Sequence, residues 1–156
     1  MNIFITGIDG FVGSFLAELL IDENMNVWGL VRSGSSSHNI RHIERKLNLI
    51  EGDLEDIDRF RHIVSGISPD VIIHLGGQSL VSVALENPYS TFRTNIIGGA
   101  NILEAVRTEK PDTKVIVITS ADVYGSPAKD LLPLKEDAPL RPTNPYSASK
   151  AALDII

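Results

Sequence analysis

The sequence predicts an α/β fold, a doubly wound parallel sheet with helices on both faces, and three observations predict it. Short β-branched runs alternate with amphipathic stretches, a glycine-spaced turn joins the first run to the first helical stretch, and each run is apolar at nearly every position. Unbroken apolarity is what strands buried on both faces require, since helices cover both sides of a parallel sheet. Strands are expected at residues 2–6, 26–31, 47–51, 71–75 and 114–119. A first helix at 11–21 carries Phe11, Val12, Phe15, Leu16, Leu19 and Leu20 as an apolar stripe, expected to pack on the first strand. A second helix is expected at 54–66 and a longer third at 87–109, where Pro88 suits a first turn and Ile96, Ile97, Ala100, Leu103 and Val106 would form the buried face. Residues 33–37 read as a short flexible turn, and 121–143, rich in proline and charge, as a functional loop. A last helix begins near Asn144 and its pattern is still running at Ile156, so residues 1–156 are expected to form one domain, the N-terminal part of a longer enzyme.

The chain has 156 residues, 14 Lys+Arg against 20 Asp+Glu, a net charge of -6 and no cysteine. A chain of this length buries roughly 70% of its unfolded surface, enough for a core without cross-links. Without cysteine there is no disulfide scaffold, thiolate metal site or cysteine nucleophile. The acidic balance and scattered basic residues argue against a nucleic-acid partner. No apolar run reaches the roughly 18 residues of a membrane span, and the N-terminus lacks the signal-peptide pattern, so the expected setting is cytoplasmic.

The first strand runs into Thr6-Gly7-Ile8-Asp9-Gly10-Phe11-Val12-Gly13. Gly7 permits a tight turn, Gly10 lets backbone approach a pyrophosphate, and Gly13 lets helix pack on strand, while the helix N-terminus offers amide donors. A dinucleotide is the expected ligand. About 20 residues further on, an NAD site normally has an acidic residue; here the second strand ends Val31-Arg32-Ser33. That favours the 2′-phosphate of NADP(H), with NAD(H) possible and a merely solvent-facing Arg32 as the plainer reading. Asp53 is placed to accept from an adenine amino group, or to cap a helix.

The fourth strand leads into His74-Leu75-Gly76-Gly77-Gln78, where glycines would let backbone touch a cofactor; His74 itself reads as a hydrogen-bonded core histidine. The fifth leads to Ser120-Ala121-Asp122, and the last helix carries Tyr146 and Lys150 one turn apart on one face. A lysine ammonium beside a phenol favours the phenolate, which would make Tyr146 a usable general acid or base. Ser120 alone would be an ordinary turn former. His38 and His42, one helical turn apart near Glu44, read as solvated polar residues rather than metal ligands, so no metal is expected.

Taken together, TGxxGxxG at 6–13, Asp53-Leu54, HLGGQ at 74–78, the motif from Asn95 to Gly98, SADVYG at 120–125 and YSASK at 146–150 resemble the extended short-chain dehydrogenases/reductases that modify nucleotide sugars. The resemblance spans essentially the whole chain. It implies a Rossmann-type sheet, a nucleotide-sugar substrate, a homodimeric full-length enzyme, and a substrate domain of roughly 150 further residues absent here. It also implies that Ser120 hydrogen-bonds the reacting oxygen, Tyr146 moves the proton, Lys150 holds the nicotinamide ribose, and hydride passes at sugar carbon 4. Phe11, Val12, Leu54, Leu75, Gly76, Gly77, Gln78 and Asn95 would line the cofactor, Asn95 in a supporting role or simply as a polar helix residue.

Within that family, residues 27–32 with the following serines, and Gln78, Ser79 and Val81, resemble GDP-mannose 4,6-dehydratases and GDP-4-keto-6-deoxymannose reductases. A dehydratase also needs acidic or polar groups just after the serine, where this chain has Ala121 and the short Asp122. The reductase is therefore the preferred reading, with a dehydratase or epimerase as the alternative. A non-catalytic dinucleotide-binding module is a further alternative, disfavoured by the retention of Ser120, Tyr146 and Lys150.

Overall fold

Ile3, Phe4 and Ile5, in a strand whose side chains alternate between faces, send the isoleucines to one side of a sheet and the phenylalanine to the other. That strand, β1 (Asn2–Thr6), is central in a computed structural model describing residues 1–156. β2 (Asn26–Val31), β3 (Asn48–Glu51), β4 (Val71–His74) and β5 (Lys114–Val117) complete a five-stranded sheet in the order β3-β2-β1-β4-β5, every pairing parallel. Ile5 lies opposite Gly29 on one neighbour and Ile73 on the other. The order reverses between β1 and β4, the switch point outside which such sheets open a ligand crevice. Each expected strand is present; those at 71–75 and 114–119 end one and two residues sooner.

The chain divides into two compact units, residues 1–77 with 101–118, and residues 78–100 with 119–156. In the first, Phe4, Leu30, Phe60, Ile63, Val64, Ile72, Ile102 and Ala105 form the core on one face of the sheet, and Ile3, Ile5, Ile8, Ala17, Val27 and Ile40 the core on the other. Phe4 and Phe60 meet edge to face with centroids 6.4 Å apart. Helix α1 (Phe11–Asp22) corrects the expected stripe: Phe11, Val12, Phe15 and Leu19 are 77, 59, 62 and 58% exposed, while Gly13, Ser14 and Ala17 are buried and Leu16 and Leu20 half-buried. The small residues face inward because this helix must lie close to β1. Helix α2 (Ile57–Ile67) starts three residues later than expected, since the carboxylate of Asp56, not Asp53, accepts from the backbone N–H of Arg59 at 2.9 Å.

The single long helix expected at 87–109 is a series. Helix α3 (Val81–Glu86), not anticipated, precedes α4 (Pro88–Phe92), which Asn87 caps through Ser90 N. A π-turn (Arg93–Ile97) follows and continues into α5 (Gly98–Glu109), whose residues from 101 belong to the first unit. Buried positions are Thr91, Asn95, Gly98, Gly99, Ile102, Ala105 and Val106, whereas Ile97 is 50% exposed. The true stripe is partly polar and glycine, which displaces it from the all-apolar one expected. In the second unit, helix α6 (Pro145–Ile155) opens on a reciprocal cap between Asn144 and Ser147 with Pro145 at its first position. Residues 121–143 carry only short 3₁₀ turns, at Ala121–Tyr124 and Lys129–Leu131. No helix is long and apolar enough to cross a membrane.

Two phenylalanines test this placement. Phe60→Ala should cost about 3–5 kcal/mol in urea unfolding, and Phe15→Gln less than about 0.5 kcal/mol. A comparable loss at Phe15 would mean that α1 buries the wider apolar face after all.

Candidate functional site

In the first unit the backbone leaves β1 through Gly7 at φ +70, and a Cβ there would fall 2.8 Å from the amide nitrogen of Gly76. A Cβ on Gly13 would fall 2.2 Å from the carbonyl oxygen of Gly7. Only hydrogen fits at either position. Gly10 caps α1 without a side-chain acceptor, so amide donors of the first helical turn remain for an anion. This turn fits a pyrophosphate by its own chemistry. Fully buried Thr6 anchors the second wall: its hydroxyl accepts from Gly76 N at 3.0 Å and shares a 2.7 Å hydrogen bond with Nδ1 of His74, 2% exposed. His74 is thus a hydrogen-bonded core residue. Leu75 is half-buried against the apolar core, and Gly77 is exposed.

Beyond β2 and β3, a cavity of about 610 Å³ is lined by Arg32, Ser33, Ser35, Gly52, Asp53 and Arg59, among others. Arg32 therefore faces a cavity rather than open solvent alone. The Asp53 carboxylate accepts from Glu55 N at 2.9 Å, shaping a turn ahead of α2. Leu54 turns inward, its side chain 7% exposed in the core and its carbonyl accepting from Asn101. His38 and His42 do not share a helix: His38 opens a 3₁₀ turn (His38–Ile40), and His42 lies between it and the next (Glu44–Lys46), 2.7 Å from Glu18.

In the second unit Ser120 accepts from Asp122 N at 3.2 Å, opening the turn at Ala121–Tyr124, with Ala121 and Asp122 exposed. Tyr146 is half-buried on the first turn of α6; Lys150, one turn on, is 7% exposed. Burial holds the Lys150 ammonium below its ordinary value. Asn95, 1% exposed in the π-turn, grips the Gln78 backbone on both sides, accepting from its N–H at 2.8 Å and donating to its carbonyl at 3.0 Å. Its amide also donates to Ser149 Oγ at 2.8 Å, and Ser149 donates to the Tyr146 carbonyl at 2.7 Å. Asn95 thus fixes the Gln78 backbone and the Ser149 hydroxyl, with both protons of its amide committed. The Gln78 side chain donates to Leu80 O while its own Oε1 is buried without a partner. Thr6 and Ser149 enter the sequence reading only as members of TGxxGxxG and YSASK, and Arg59 not at all, because the role of a threonine, arginine or serine is unreadable until its partners are known.

The buried lysine sets a pH dependence. Its folded value lies below its unfolded one, so the folded chain carries a penalty that is complete below the folded value and fades as pH rises toward the ordinary lysine range. Lys150→Met removes the penalty, so its melting temperature relative to the parent should be more favourable at pH 7 than toward pH 10. An advantage that grows with pH would contradict burial as the cause.

The family model for GDP-mannose 4,6 dehydratase matches residues 4–156. A GDP-mannose 4,6-dehydratase of Sordaria araneosa is 36% identical over 94% of this chain and 27% of its own length. A UDP-glucose 4-epimerase of Corynebacterium glutamicum is 30% identical over 99% of this chain and 45% of its own. The crystal structure of Thermus thermophilus UDP-glucose 4-epimerase in complex with NAD superposes with a TM-score of 0.86 at 30% identity, covering 99% of this chain and 49% of that one. The chain spans less than half the length of these relatives. By that match over nearly its whole length, the chain belongs to the GDP-mannose 4,6 dehydratase family, within the extended short-chain dehydrogenases/reductases.

Proposed function

We propose that this chain supplies the dinucleotide-binding and proton-transfer part of an NADP(H)-dependent nucleotide-sugar oxidoreductase acting at carbon 4 of the sugar, best described as a GDP-4-keto-6-deoxymannose reductase. The observation that carries the reading is the half-buried Tyr146 one turn from a buried lysine on α6, in a chain whose first helix also leaves its N-terminal amides uncapped. When bound, the dinucleotide supplies the hydride that reduces the sugar carbonyl carbon. Tyr146 gives its phenolic proton to the carbonyl oxygen, Ser120 donates a hydrogen bond to that oxygen, and Lys150 favours the phenolate that remains. Arg32, on the cavity beyond β2, supports a cofactor bearing a 2′-phosphate.

The 4,6-dehydratase is the second reading, supported by the family match and by the exposed Asp122 carboxylate two residues after Ser120. Ala121, which offers no donor or acceptor beside the serine, favours the reductase. A cytoplasmic homodimer completes the proposal; Ile97 and Ile155, 50 and 74% exposed on helices of the second unit, support a partner surface.

Absorbance at 340 nm discriminates, with NADPH and a GDP-4-keto-6-deoxy sugar added to the full natural polypeptide carrying this chain. Net loss is the expected result; no loss, together with conversion of GDP-mannose to a 4-keto product, would establish the dehydratase. Tyr146→Phe should lower turnover about 10²–10⁴-fold while dinucleotide affinity stays within about twofold. An unchanged cellular phenotype for that variant would point to a non-catalytic module instead.

A further inference from the structure

The cavity beyond β2 and β3 contains a second guanidinium that the sequence reading did not use. We propose that Arg59 is the second cation of a clamp for a ribose 2′-phosphate monoester, acting with Arg32, and so determines the choice of NADP(H) over NAD(H). The inference rests on the dinucleotide reading above and extends it to a specific residue.

Arg59 is held in place by the fold. Its backbone N–H is fixed by the Asp56 cap at 2.9 Å, and its Nε and Nη2 donate to the carbonyl oxygen of Glu51 at 3.2 and 3.0 Å. The guanidinium is thereby tied to the end of β3, with Nη1 making no bond inside the protein. Gly52 makes this posture possible. A Cβ on Gly52 would fall 3.3 Å from Arg59 Cγ and 3.0 Å from Leu30 Cδ1, so the arginine stem lies across a residue that has no side chain. A planar guanidinium with fixed orientation loses little freedom on binding a phosphate, and it offers paired donors that match phosphate oxygens.

The cavity also holds acidic groups, and their engagement decides the balance. Asp53 and Asp56 each accept a backbone N–H, from Glu55 and Arg59, and so act as caps within the protein. Glu51 keeps a free, exposed carboxylate on the wall. Ser35 donates its hydroxyl to Asp9, which leaves Ser33 as the neighbouring hydroxyl donor. Two arginines and one hydroxyl donor therefore share the cavity wall with three carboxylates, two of them held by backbone N–H groups and Glu51 alone without a partner. A phosphate bound here is held by the directed donors of both arginines rather than by net charge, and Glu51 opposes it most.

The test is calorimetric binding of 2′,5′-ADP, 5′-AMP, NADP+ and NAD+ to the 156-residue chain and its variants, with circular-dichroism melts confirming the fold. The parent should bind 2′,5′-ADP at least about tenfold more tightly than 5′-AMP. Arg59→Met should erase most of that ratio while leaving 5′-AMP and NAD+ affinities within about twofold, Arg59→Lys should restore part of it, and Glu51→Gln should raise it. If Arg59→Met weakens both nucleotides equally, or neither, Arg59 is structural and the proposal fails. If Arg32→Met alone collapses the ratio, the NADP reading stands and the two-cation clamp falls. If the parent shows no preference for the phosphorylated ligands, or binds none of the four, both the clamp and the cofactor reading are overturned.

Discussion

A methyl group on Gly7 would sit 2.8 Å from the amide nitrogen of Gly76, and one on Gly13 would sit 2.2 Å from the Gly7 carbonyl oxygen. This close approach of three backbone segments is the constraint on which the first unit depends. It brings the exits of β1 and β4 together at the point where the strand order reverses, the place where a parallel sheet opens a crevice. It also decides what α1 may bury. A helix drawn this near to its strand has room inward only for Gly13, Ser14 and Ala17, so Phe11, Phe15 and Leu19 are turned outward. The buried hydroxyl of Thr6 then serves Gly76 and His74 together, so the contact between the two strand exits is hydrogen-bonded as well as packed.

The second unit solves a comparable problem with an amide. Asn95 holds both polar groups of the Gln78 peptide and a hydroxyl on α6, all without exposure to water. A buried primary amide with an unsatisfied atom would be costly, so each of these partners is required by the others. The π-turn at Arg93–Ile97 is where this occurs, and such turns concentrate where a side chain must be re-aimed out of ordinary helical phase. Tyr146 is reached through this network: the Ser149 hydroxyl accepts from the Asn95 amide and donates to the Tyr146 carbonyl, so the helix turn that carries the phenol is tied to the residue after the β4 glycines.

Strands were legible because burial on both faces leaves an unambiguous apolar run, as in residues 2–6 and 26–31, whose observed limits coincide with those expected. The glycine turn was legible for the same reason: its spacing reflects a steric requirement that no other residue meets. Helix faces were less so. Apolarity marks a buried face only where space allows a large side chain, and α1 and the helix around Asn95 are packed on glycine, serine, threonine and asparagine instead. Asp53 and Asp56 show a second limit. Each has the chemistry of a cap, three residues apart, and only the backbone geometry assigns the helix start to Asp56.

Charge poses the last question, since a chain of net charge -6 is read as binding an anionic dinucleotide and an anionic nucleotide sugar. Its overall field would repel such ligands, and attraction must come from groups fixed at short range. The uncapped amides of α1 supply part of it, and they carry partial positive charge that no pH change removes. In the proposed site the arginines of the cavity would supply the rest, one of them hydrogen-bonded to the Glu51 carbonyl. The helix amides and the Arg59 guanidinium are oriented by the fold itself, so they need little reorganisation to hold an anion. A net acidic chain is therefore compatible with an anion site built from such short-range donors.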